Sequence, residues 1–188
     1  MTIFQHHMNR RSFLGWTVSL ALASQIPSKA FGAPAPVQPP AERSLYLVHR
    51  NTGERFHDVY WAEGTYLPES LEAINVLLRD YRTGEIKPID RGLLDLLHKI
   101  QSQAAGNNLI HIFSGYRSRR TNNLLRKKNR VVALNSFHLK GMAVDICMPE
   151  VPLKTLRTLA SRQKAGGVGY YPRAHFIHVD TGPIRFWR

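Results

Sequence analysis

The sequence predicts an α+β domain in which a small, mostly antiparallel sheet is flanked by helices. Three observations carry that expectation. Helix-spaced leucines and isoleucines crowd the first half of the chain, short period-two runs dominate the second, and helical stretches fall between strands without strict alternation. The 188 residues leave room for one domain and little else, and 43% hydrophobic content suits a packed core.

The first 32 residues read as an address. "NRRSFLGW", from Asn9 to Trp16, puts two arginines ahead of an apolar, charge-free run that reaches about Ile26, and "KAFG" follows with small residues at Ala30 and Gly32. The run is short for a bilayer core of about 30 Å. Paired arginines followed by Ser-Phe-Leu resemble a twin-arginine export signal, the alternative being an uncleaved anchor helix. Met8 is an alternative start. Cleavage after Gly32 removes Arg10, Arg11 and Lys29 and no acid, so a formal charge of +13 becomes +10. The expectation is a periplasmic, monomeric protein with no stable membrane insertion after signal cleavage.

Residues 33–44, "APAPVQPPAERS", are Pro/Ala-rich and aperiodic, and read as a tether. The folded domain is expected over 45–188. "LYLVH" and "RFHDVYW" flank the turn "RNTGE" and predict a hairpin. Pro68 to Tyr81 predicts a helix, with proline in its first turn and Leu71, Ile74, Leu77 and Leu78 on one face. Asp90 is placed to cap a second helix bearing Leu93, Leu94, Leu96, Leu97 and Ile100. "NLIHIFSG" predicts a strand, "SRRTNNLLRKKN" a basic helix, "GMAVDIC" a strand, "PLKTLRTLASRQK" a helix and "HFIHVDTG" a closing strand.

Charge and cysteine narrow the function. A strong positive balance points to an anionic partner: nucleic acid, anionic lipid or the carboxylate-rich bacterial cell wall. Export weighs against nucleic acid, and no recognition motif for it is present. The single cysteine, Cys147, excludes an internal disulfide and the thiolate-rich structural zinc sites. It reads as a small residue in or near the core, with nothing nearby to activate it. A metal in this chain has to be held by histidine and carboxylate.

"SFHLKGMAVD" places His138 and Asp145 seven residues apart, and they could be solvated loop residues, a hydrogen-bonded pair or metal ligands. At period two, Asp145 shares a face with Ala143 and Cys147, opposite Val144 and Ile146. His178 likewise shares a face with Phe176 and Asp180, opposite Ile177 and Val179. If the two strands are neighbours, Asp145 and His178 meet, and His138 can descend on them from its loop. Two imidazoles and one carboxylate are the ligand set of an open catalytic zinc site. The other readings stay in view. Ser136 can cap local backbone, Arg117 can be a surface turn residue, and Tyr170 and Tyr171 can be cleft wall or packing. Asp180 can be the hydrogen-bond partner of a histidine ligand or a strand-end turn residue. His49, His57, His98 and His111 read as structural or surface residues.

"SFHLKGMAVDI", "GYRS" upstream and "AGGVGYYPRAHFIHVDTGP" downstream resemble the zinc D-Ala-D-Ala peptidase and lysostaphin-type superfamily, in particular its YcbK-like murein endopeptidase K family. The similarity covers the whole mature domain and includes the leader. It implies a hedgehog/D-Ala-D-Ala-peptidase-like zinc fold, one Zn²⁺ held by His138, Asp145 and His178, and hydrolysis of the peptide cross-links of peptidoglycan stem peptides. In the carboxypeptidase relatives a glutamate three residues before the last histidine ligand is the general base. Here that position is His175, a departure from the family pattern, and His175 inherits the expectation of proton relay. The "GYR" arginine falls on Arg117, implying an oxyanion or substrate clamp. Ser136, Tyr116, Tyr170, Tyr171 and Asp180 are expected to touch substrate or to support the ligands. The rivals are a D,D-carboxypeptidase trimming terminal D-Ala and a non-catalytic, basic cell-wall-binding domain.

Overall fold

A computed structural model describes residues 42–106, 108–129 and 132–188. The signal-peptide expectation and most of the tether fall outside these residues. Glu42, Arg43 and Ser44, assigned to the tether by composition, instead open the first strand.

Strand β1 (Glu42–His49) and β2 (Arg55–Ala62) form the expected hairpin, with Gly53 at φ +76° in its turn. A two-residue β3 (Thr65–Tyr66) extends β2. Helix α1 (Pro68–Leu77) starts at the expected proline but stops four residues short of Tyr81. Asp80 ends it: its backbone closes a turn with Gly84 and Glu85, while its carboxylate accepts the Arg82 and Ser118 N–H groups. Helix α2 (Arg91–Gln103) is capped by Asp90, which accepts the Gly92 N–H, and buries all five predicted apolar residues.

Strand β4 (Ile110–Ser114) runs into "GYRS", where Tyr116 N–H donates to the Leu78 carbonyl at 2.7 Å. Ser118 then caps α3 (Arg119–Lys128). Strands β5 (Ala143–Cys147) and β7 (Phe176–Asp180) and helix α4 (Leu153–Arg162) lie where periodicity puts them. Two strands were not legible as such: β6 (Gly167–Tyr171), a glycine-rich run without alternation, and β8 (Arg185–Trp187), three residues long behind Pro183.

All eight strands form one sheet in the order β3-β2-β1-β4-β5-β7-β6-β8. It is larger than expected and mixed, with β1·β4 and β6·β8 parallel and the other pairs antiparallel. Val144, Ile146, Ile177 and Val179 join the helix leucines in one buried core. That burial fixes the register, because a one-residue slip would drive Asp145 and His178 into the core. Within this framework Asp145 lies directly opposite His178, in the middle of the sheet.

Candidate metal centre

Asp145 and His178 face each other because β5 and β7 are neighbours with their apolar rows turned to the core. His138 arrives from a single 3-10 turn, Phe137–Lys140, opened by Ser136, whose hydroxyl accepts the His138 N–H at 3.3 Å, and closed by Gly141 at φ +70°. A β-carbon at Gly141 would stand 2.6 Å from the Pro88 carbonyl oxygen, so the residue that turns the chain toward β5 has no room for a side chain. All three residues are buried.

Their inward atoms form a tight triangle. His178 Nδ1 lies 2.9 Å from Asp145 Oδ1, His138 Nε2 lies 3.3 Å from the same oxygen, and the two nitrogens are 3.2 Å apart. Ligands about 2.0–2.2 Å from a tetrahedral centre stand about 3.3–3.6 Å from one another, so the triangle is close to one face of such a site. Among the described residues this is the one group of three or more such side chains that could hold a metal ion.

The imidazoles are oriented from behind, each by a different atom. His138 Nδ1 lies 2.7 Å from the Gly115 carbonyl, an acceptor only, which fixes the proton on Nδ1 and leaves Nε2 bare. His178 Nε2 lies 2.9 Å from Asp180 Oδ2, which leaves Nδ1 for the site. Asp180 is fully buried and saturated: Gly167 N–H, Gly182 N–H and both terminal nitrogens of Arg185 donate to it as well. The "GGVG" run serves these contacts. A β-carbon at Gly167 would come within 2.6 Å of the Asp180 carboxylate, and one at Gly169 within 2.6 Å of the Trp187 indole, which itself packs 5.3 Å from the His178 ring.

The electrostatics suit cation binding. Burial, reinforced by the Arg117 charge, lowers His138 to about 4, so its imidazole is neutral at pH 7. Burial alone would push Asp145 up, but its imidazole neighbours and Arg117 hold it well below the usual carboxylate range. His178 shows the reverse balance: burial pulls it down, and hydrogen bonds to Asp145 and Asp180 carry it above its ordinary value. Burial likewise works against ionisation of Asp180, yet His178, Arg185 and two backbone N–H groups hold it below the ordinary range.

A cavity of about 670 Å³ opens over this cluster, and its wall includes Ser136, Phe137, Tyr171, Phe176 and Trp187. Arg117 enters it with Nε on Ser114 Oγ at 2.8 Å and Nη2 on Asp145 Oδ2 at 2.5 Å. Tyr171 is cleft wall, and its hydroxyl accepts the Trp187 Nε1–H at 2.8 Å. Tyr170 packs against the core under the Arg157 guanidinium, and Tyr116 packs on the core with Lys87 over its ring; neither lines the cavity. Ser136 both caps the turn and faces the cavity.

His175 stands apart from the cluster. It closes the short turn Pro172–Ala174 at φ +55°, is exposed, and does not line the cavity, although Ala174 and Phe176 on either side do. Strand β7 begins only at Phe176, so strand parity does not turn His175 inward. Arg185, Trp187 and Gly115 were not singled out by sequence reasoning. Arg185 and Trp187 lie in a strand too short for periodicity, and Gly115 acts through its backbone.

Residues 37–187 match the family described as peptidoglycan L,D-endopeptidase MepK. The chain is 40% identical over 179 residues to the peptidoglycan L,D-endopeptidase MepK of Escherichia coli (strain K12) and to that of Shigella flexneri, covering 95% of this chain and 97% of each relative. It is 39% identical over 155 residues to the probable peptidoglycan L,D-endopeptidase MepK of Haemophilus influenzae, covering 82% of this chain and 83% of that protein. No solved structure matches the chain.

Proposed function

We propose that this chain, which belongs to the peptidoglycan L,D-endopeptidase MepK family, cuts peptide cross-links of peptidoglycan at one zinc ion held by His138, Asp145 and His178. The observation that carries the metal is the donor triangle, with edges of 2.9, 3.2 and 3.3 Å, His138 held by the Gly115 carbonyl in the tautomer that bares Nε2 and His178 backed at Nε2 by Asp180. Two imidazoles and a carboxylate suit zinc and leave a coordination position for water or substrate. When bound, the ion supplies Lewis-acid polarisation of the scissile carbonyl and a water acidified toward neutrality.

The chain's own residues do the rest. Arg117 keeps N–H groups beyond those on Ser114 and Asp145, and its charge sits at the cavity where negative charge develops on the attacked carbonyl. The Tyr171 hydroxyl accepts from Trp187 and so retains its own proton to donate to the bound peptide. Asp180 is committed on every side to His178, Arg185 and backbone, which makes it an orienting partner and not a base. Among the described residues no hydrogen bond or ion pair to the His175 imidazole supports proton relay.

The proposal extends to the finer fold and to the cell. The antiparallel run β4-β5-β7-β6 carrying the ligands supports a hedgehog/D-Ala-D-Ala-peptidase-like arrangement. "NRRSFLGW" and "KAFG" support twin-arginine export to the periplasm, where a monomer meets its wall substrate. Among the described residues no helix is long and apolar enough to cross a membrane. The test is product analysis on purified cross-linked muropeptide dimers, with and without chelator. An endopeptidase converts dimers to monomers and stops reversibly on zinc removal. Release of free D-Ala alone, or turnover indifferent to chelator, would overturn the reading.

A further inference from the structure

A second cavity of about 460 Å³ adjoins the first and shares Arg117, Asp145 and Phe176 with it. Three arginines line it: Arg50, Arg82 and Arg117. The one acid in its wall is Asp145, already engaged by Arg117 and both imidazoles. The cavity therefore holds cationic charge that the wall itself does not neutralise.

Three other arginines of the domain are paired with acids. Arg43 reaches Asp95, Arg79 reaches Glu54 and Arg185 reaches Asp180, all within 2.8 Å. Arg50 and Arg82 make no ion pair among the described residues. Each guanidinium instead lies over an aromatic ring of the cavity wall, Arg50 at 4.7 Å from the Phe113 centroid and Arg82 at 4.2 Å from that of Tyr81. Stacking holds the plane of a guanidinium and leaves its N–H edge free for a planar, bidentate acceptor. Exposed arginines on a basic protein are ordinarily solvated charge. These two are set apart by their convergence on one concavity and by the boundary that concavity shares with the metal ligands.

We infer that this second cavity is a carboxylate subsite, in which Arg50 and Arg82 hold a free carboxylate of the stem peptide that flanks the scissile amide. The inference rests on the peptidoglycan reading above and deepens it: it names the group on the substrate that sets the register of the chain across the metal. A carboxylate fits better than a neutral amide because only the anion offers two acceptor oxygens and charge to paired guanidinium forks. Among the described residues Arg50 and Arg82 make no hydrogen bond or ion pair to the ligands or to Ser136, so they act on binding and not on the chemical step.

The test compares the zinc-loaded parent with the double variant Arg50→Gln/Arg82→Gln, with folding checked by circular dichroism. The first probe is the uncross-linked stem tetrapeptide and its fully amidated counterpart, measured by calorimetry. The parent should bind the carboxylate form at least tenfold more tightly, and the variant should bind the two forms within about threefold. The second probe is turnover of cross-linked dimers, where the variant should raise KM about 10–100-fold with kcat unchanged. Equal preference in parent and variant, or no preference in the parent, overturns the subsite. A parent that shows the binding preference but never cleaves dimers sinks the hydrolase reading instead. A parent that cleaves dimers without any preference sinks the subsite alone.

Discussion

Asp180→Asn is the sharpest probe of the centre, because it changes one charge and almost no volume. The two carboxylate oxygens face different donors. Oδ1 accepts Gly167 N–H at 3.0 Å, Gly182 N–H at 2.9 Å and Arg185 Nη1 at 3.0 Å, while Oδ2 accepts His178 at 2.9 Å and Arg185 Nη2 at 2.6 Å. An asparagine has one carbonyl to place, and three donors claim it for the Oδ1 position. Its amide NH₂ then points at His178 Nε2 and donates, which drives the imidazole proton onto Nδ1, the atom aimed into the site. The ligand is blocked by its own tautomer. Losing an orienting partner of a metal-bound histidine typically costs 10–100-fold in metal affinity. The tautomer switch puts this case at the upper end, about 100-fold, or roughly 2.7 kcal/mol. The assay is zinc competition against a chelator of known affinity, paired with circular dichroism to show that the fold survives. A variant that folds and holds zinc with the parent's affinity would refute the orientation argument and release Asp180 for some other role.

Three further outcomes are expected. His178→Ala should lose its zinc, whereas His175→Ala, altered outside the cavity, should keep the metal and stay within about tenfold of parental kcat; a loss of about 10²–10⁴-fold with zinc retained would restore His175 as the general acid/base. Arg117→Lys keeps the charge but not the fork that spans Ser114 and Asp145, so kcat on dimers should fall about 10²–10³-fold with zinc content unchanged, and an unaltered kcat would remove Arg117 from the reaction. The metal-free protein should lose stability on acidification from pH 6.5 to 4. His138 titrates at about 4 when folded and near 6.5 when unfolded, so the unfolded chain binds more protons across that window, worth at most about 3 kcal/mol. Urea unfolding midpoints measured across this range check it, and His138→Asn should flatten that part of the curve. Raised His178 works in the opposite sense, adding stability below pH 6.5 that is lost as pH climbs through its folded value.

What the sequence made legible follows from where the physics is local. Strand parity alone put Asp145 and His178 on polar faces, since Val144, Ile146, Ile177 and Val179 had to be buried together. Their adjacency could not be read that way: β5 and β7 are separated by α4 and β6, and the order β4-β5-β7-β6 is a choice among topologies that no period encodes. The same limit hid β6 and β8. Gly166, Gly167 and Gly169 give no alternation because small size is what the site asks of them: β-carbons at Gly166 and Gly167 would strike the Asp180 carbonyl and carboxylate, and one at Gly169 would strike the Trp187 indole. A run that looks like a turn is therefore a strand whose side chains were given up so that Asp180 could sit beneath His178. The position of His175 is likewise set by local backbone that no period encodes. A strand running through 175 would turn His175 to the core face with Ile177 and Val179; the Pro172–Ala174 turn and a left-handed residue at 175 instead leave it exposed before β7 begins. Regular structure is not what brings His138 to Asp145 either: a 3-10 turn and Gly141 at φ +70° lie between them. A positive φ redirects the chain in both places, toward β5 after Gly141 and out of strand register at His175.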